Sequence, residues 1–69
     1  MRLVRRARNR KVRLHLKDGP SIDGVLAGRC DGHYILWAPQ VIEGSEATVS
    51  VSGHVEVPEA NVLFLQILG

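Results

Sequence analysis

Glycine falls at positions 24 and 28 inside the most strand-like stretch of this chain, SIDGVLAGRCDGHYILWAPQVIEG, residues 21–44. Glycine weakens a strand unless the strand must bend or another backbone must come close. Both glycines fall on one face of the predicted strand, with Ile22, Leu26 and Cys30. A strand of that kind can curve across both halves of a small barrel. Two ordinary bulges would account for the same glycines without closure; barrel closure is the expectation adopted.

The rest of the pattern agrees with a small all-β domain. Residues 11–17 alternate, with Val12, Leu14 and Leu16 apolar and Lys11, Arg13, His15 and Lys17 polar, as in a half-buried strand. Asp18-Gly19-Pro20 is turn chemistry. Asp31-Gly32 is the strongest hairpin signal, and a strand over residues 33–42 follows it. Pro39 cannot donate a ladder hydrogen bond and marks a bulge or an edge. After a loop at Gly44-Ser45-Glu46, residues 48–57 alternate again, with Val49, Val51, Val55 and Val57 on one face. A last strand over residues 61–68 is apolar on both faces and is expected to be covered on both. Five short strands with tight turns predict a barrel or sandwich.

At 69 residues the chain is read as one domain, with a basic arm or short helix over residues 1–10 and a barrel over residues 11–69. In the arm, Leu3, Val4 and Ala7 can share one helical face. A domain this small buries only about 60% of its unfolded surface and needs further support. The single cysteine, Cys30, excludes an internal disulfide, so assembly of several copies becomes the natural support. Cys30 itself is expected to be a small buried hydrophobe. The apolar runs fall short of the ~20 residues of a membrane span, and no apolar targeting segment follows the basic start. The expectation is a soluble chain in a reducing compartment, without a membrane partner.

Charge is strongly asymmetric. Arg2, Arg5, Arg6, Arg8, Arg10, Lys11 and Arg13 make up most of the nine basic residues. From Leu14 onward only Lys17 and Arg29 face seven acids, a net charge of −5. A basic arm thus precedes an acidic body. Arg2, Arg5, Arg6, Arg8, Arg10 and Lys11 are candidate phosphate contacts of a salt-dependent, sequence-blind kind. Equally, they can form a solvated face that meets the acidic bodies of neighbouring copies.

The stretch VRLHLKDGPSIDGVLAG resembles the first signature of the Sm and Sm-like proteins, with Leu16, Asp18, Gly19, Ile22, Gly24 and Leu26 in register. VPEANVLFLQIL resembles the second, with Asn61-Val62-Leu63-Phe64 in register. The resemblance implies a strongly bent five-stranded SH3-like barrel, preceded by a helix, that joins copies of itself into a closed ring of about six or seven. It implies that the fourth strand of one subunit pairs with the fifth of the next, with Val49, Val51, Val55, Val62, Phe64 and Leu65 at the interface. The sequence departs from the family at its RNA pocket. An Asp-x-x-aromatic-Asn pattern fits only with Cys30 at the Asp position and Tyr34 at the Asn position. Shifted by one residue, it has Asp31 in place and Ile35 at the Asn position. Pro58-Glu59 stands where the family has Arg-Gly. The Gly-His-Tyr-Ile-Leu and Val-Pro-x-x-Asn-Val elements are similar to Sm-like proteins encoded by bacteriophages and prophages, which implies the cytoplasm of a bacterial host or a virion.

His33 and Tyr34, with Trp37, can form a base-stacking platform near the pore, or serve as packing in part. No histidine or cysteine spacing suits a metal, and no cofactor is expected. No phosphate loop or nucleophile–base pair suggests catalysis, and a barrel this small leaves little room for a small-molecule substrate. Three functions follow: a non-enzymatic ring with a structural or assembly role; an RNA- or DNA-binding ring that uses the arm and pore-side residues; and, last, a monomeric SH3-like adaptor.

Overall fold

The computed structural model describes residues 6–43 and 47–69. It is mainly β: β1 (Lys11–Leu16), β2 (Ser21–Cys30), β3 (His33–Glu43), β4 (Ala47–Ser50), β5 (His54–Pro58) and β6 (Val62–Ile67), with one 3-10 turn at Glu59–Asn61 before β6. The antiparallel sheet runs β4-β3-β2-β1-β6, and β5 also pairs with β3.

The inner face carries the core. Val12, Leu14, Leu26 and Leu36 are fully buried, and Ala7, Tyr34 and Val57 join them. Alternation in β1 and β3 puts these side chains on one face. The expected bending of β2 is present. Its pairing with β3 slips between Asp23 and Val25 and again between Leu26 and Gly28. Gly24 sits at the first slip because the sheet folds onto it: a Cβ there would lie 3.1 Å from both Leu36 Cβ and the Trp37 carbonyl oxygen. The Asp31-Gly32 turn has φ of 49° and 73°, the left-handed pair that a tight hairpin demands.

One expected strand is two. Residues 48–57 break between Ser50 and His54, giving β4 and β5. The cause lies across the ladder. In β3, Ala38 has φ of 49° and Pro39 is fully buried, so the strand kinks there. Its partner must open at the same level. Ala38 N–H donates to the Gly53 carbonyl (2.9 Å) and Val51 N–H to the Pro39 carbonyl (3.0 Å), which ties the two bends together. The valine face is divided as a result: Val57 is buried, while Val49 and Val51 are exposed.

Arg6 and Ala7 have helical geometry, and Asn9, with φ of 65°, ends it as left-handed residues do. Leu3 and Val4 lie outside the described residues, as does the loop at Gly44-Ser45-Glu46. The arm's foot is fastened to the sheet. Asn9 N–H donates to the Leu26 carbonyl (2.7 Å), and Leu26 N–H donates to the Arg10 carbonyl (3.1 Å).

Candidate functional site

Among the described residues, two sheet edges lie open. There β6 pairs only with β1, and β4 and β5 pair only with β3, so each shows a row of backbone groups on its far side. Large apolar side chains stand at both edges: Val49 and Val51 at one, Leu63, Phe64, Ile67 and Leu68 at the other. Of the expected interface residues, Val49, Val51 and Phe64 are exposed, while Val55, Val62 and Leu65 pack in part against the chain's own core. Leu63, the most exposed at 63%, was not among the candidates. Its signal was the apolar character of both faces of this strand.

The pore-side candidates sit where the β2–β3 turn meets the β5–β6 turn. Here the two turns are locked together. Arg29 Nε lies 2.6 Å from Glu59 Oε2, and the Glu59 N–H donates to the Gly32 carbonyl at 2.8 Å. His33 is half-buried, and its Nδ1–H donates to the Asp31 carbonyl (2.8 Å). Tyr34 is a core residue, only 7% exposed, so its ring offers no stacking surface beside His33. Burial, then the charge of Glu59, raises its phenol pKa above the ordinary 10; Arg29 opposes this. Cys30, expected to be buried, is exposed at the strand end, because the slip at Leu26/Gly28 reverses which face it takes.

Of the arm candidates, Arg6, Arg8, Arg10 and Lys11 are exposed; Arg2 and Arg5 lie outside the described residues. Arg13 is engaged. Its Nε and one terminal nitrogen donate to the two carboxylate oxygens of Asp23, at 2.7 and 2.9 Å. Those hydrogen bonds and the carboxylate charge raise the Arg13 pKa. Asp23 is 5% exposed although it lies on the outer face.

Register organises that outer face into rows. One is polar: Gln66, Arg13, Asp23, Gln40 and Ser50 pair in turn across β6, β1, β2, β3 and β4. The next runs Lys11, Val25, Trp37 and His54 across β1, β2, β3 and β5. Trp37 is 51% exposed, and its ring lies 5.0 Å from that of His54, tilted by 48°. The paired bends open a cleft of about 270 Å3 between these rows, lined by Lys11, Asp23, Gly24, Val25, Ala38 and Gln40. His15 makes a second aromatic contact at the β6 edge, stacked on Phe64 at 4.1 Å while its Nε2–H donates to Gln66 Oε1 at 2.9 Å. Among the described residues no cluster of three His, Cys, Asp or Glu side chains is placed to hold a metal, and no helix is long and apolar enough to cross a membrane.

Neither a protein-family model nor a curated protein sequence matches the chain. Solved structures do. A heptameric archaeal Sm protein superposes over 100% of both chains with a TM-score of 0.87 at 20% identity. The SmAP1 heptamer of P. aerophilum matches 99% of this chain and 90% of its own, with a TM-score of 0.86 at 20% identity. An Sm protein of Pyrococcus abyssii, solved in complex with a uridine heptamer, matches 97% of this chain and 94% of its own, with a TM-score of 0.85 at 24% identity. The fold is that of the Sm proteins.

Proposed function

We propose that this chain is a non-enzymatic Sm-like subunit that joins copies of itself into a closed ring, with a structural or assembly role. The observation that carries the reading is the pair of unlike open edges, β4/β5 on one side of the sheet and β6 on the other, each with exposed apolar side chains. Pairing of unlike edges is head-to-tail: it repeats, and it closes when the rotation per subunit permits. The heptameric relatives support this reading. Native mass spectrometry tests it. A discrete mass of about six or seven copies is expected, and a bare monomer would refute the ring. Val51→Glu places a charge at the exposed β4 end and should dissociate the assembly; a ring that survives it unaltered counts against edge pairing.

A second function, binding of single-stranded RNA, is favoured by the exposed Arg6, Arg8, Arg10 and Lys11 at a foot fastened to the sheet. The uridine complex of the Pyrococcus abyssii relative supports it. Ala7 is buried in the core, so removing the arm would damage the fold. Replacing Arg6, Arg8 and Arg10 by glutamine is the cleaner test: it should weaken binding strongly and flatten its salt dependence. Unchanged binding would dismiss the arm. The setting we propose is a bacteriophage or prophage product, in the host cytoplasm or the particle. It rests on the Gly-His-Tyr-Ile-Leu and Val-Pro-x-x-Asn-Val elements, and detection of the chain in purified particles would test it.

A further inference from the structure

We propose that Trp37 and His54, on the outer face of the sheet, form a stacking site for a base of single-stranded nucleic acid, with Lys11 as its phosphate contact. The inference rests on the nucleic-acid reading above, but it places the base away from the two turns at which His33 lies.

Three observations carry it. First, Trp37 remains half exposed while its ring already has an aromatic neighbour, so its free face is a ready-made stacking surface. Second, register fixes the chemistry of the row. Lys11 pairs with Val25, Val25 with Trp37 and Trp37 with His54. Lys11 therefore stands two strand spacings, about 10 Å, from Trp37 with Val25 between them, a separation on the scale of one nucleotide's phosphate and base. Third, the cleft between this row and the polar one is lined by Lys11 and Val25 together with Gln40, whose amide both donates and accepts, and Asp23. Asp23 is neutralised by Arg13, so it does not repel a phosphate as a free carboxylate would.

Charge also gives the site a direction. Arg8 and Arg10 are exposed just before Lys11 in the chain, and the backbone bonds of Asn9 and Arg10 to Leu26 fasten that segment to the sheet. Glu56 stands at the opposite end, 3.8 Å from His54. The phosphate thus belongs at Lys11 and the base over Trp37. Trp37 has a strand neighbour on each side, so pairing at the sheet edges leaves its outer surface open. Stacking accepts any base, so binding here is expected to tolerate sequence.

The chain has a single tryptophan, which makes its fluorescence a report from this site alone. The wild-type chain is titrated with an unlabelled single-stranded uridine oligomer and with a duplex of the same length. Saturable quenching by the single strand and none by the duplex is expected. In parallel, anisotropy of a labelled oligomer should show binding weakened about tenfold or more in Trp37→Ala, with circular dichroism and oligomer mass unchanged. Lys11→Gln should weaken binding less and lower its salt dependence. Binding that leaves the fluorescence unchanged, or that survives Trp37→Ala intact, overturns the site while leaving the arm as the binder. An emission shift that tracks protein concentration without oligonucleotide means that a second copy covers Trp37, and it overturns the proposal. No binding at all refutes the nucleic-acid reading together with the site and leaves the assembly reading standing.

Discussion

On the inner face of the sheet at Gly24 a methyl group would be crowded, since Leu36 Cβ and the Trp37 carbonyl oxygen would both lie 3.1 Å from it. On the outer face, the same glycine lines a cleft of about 270 Å3. Curvature explains both. Bending a sheet crowds its concave side and spreads its convex side, so one pair of kinks, at Gly24 in β2 and at Ala38-Pro39 in β3, closes the core and opens the surface together. The inner face is therefore sensitive to volume and the outer face is not.

The largest break in that contrast is expected from Leu36→Ala, which empties a fully buried site and should cost about 2–5 kcal/mol. Urea unfolding at fixed protein concentration would measure it; a loss comparable to that of an exposed residue would mean the core is not centred there. Gly24→Val should cost about 1–3 kcal/mol through overpacking against a backbone oxygen that has little freedom to move. Neutral behaviour would show that the bend relaxes easily. A smaller effect is expected from the single tyrosine. The Tyr34 pKa is raised in the folded chain, chiefly by burial, so the neutral phenol is favoured there. Its contribution to stability is complete below the unfolded value of about 10 and is lost as pH rises through the higher folded value. Ultraviolet titration should place the phenolate midpoint above 10, and a midpoint at the free value would contradict the burial. On the outer face, Trp37→Ala should change stability by no more than about 0.5 kcal/mol, measured by the same urea unfolding. A larger loss would make Trp37 a packing residue and weaken its case as a binding surface.

Much of the inner face was legible from local pattern. Alternation located β1, and the Asp31-Gly32 turn fixed the start of β3, because side-chain period and turn chemistry are properties of a few neighbouring residues. Features that depend on distant strands were not legible. The break between β4 and β5 follows from a kink in β3 on the other side of the ladder. Cys30 faces solvent because the bulge before Gly28 reverses the alternation that assigned it to the interior. The Arg29–Glu59 pair links residues 30 apart, and no spacing rule connects them. The candidate site divides in the same way. The exposed arginines and Lys11 were evident as a charge run, and Trp37 was noted as an aromatic. Its pairing with His54 and its row with Lys11 exist only once register is known.

The burial of Ala7 and the fastening of Asn9 and Arg10 to Leu26 have a consequence for valency. A loose basic tail would search the space around its own subunit. An anchored one keeps a fixed azimuth, so in the ring proposed above Arg6, Arg8 and Arg10 would recur at equal angles, as a collar of evenly spaced charge. A strand long enough to bridge two clusters would gain the effective concentration of the second contact. A strand too short to bridge them would bind with the affinity of a single subunit. The length at which affinity steps upward would then measure the angular spacing of the subunits.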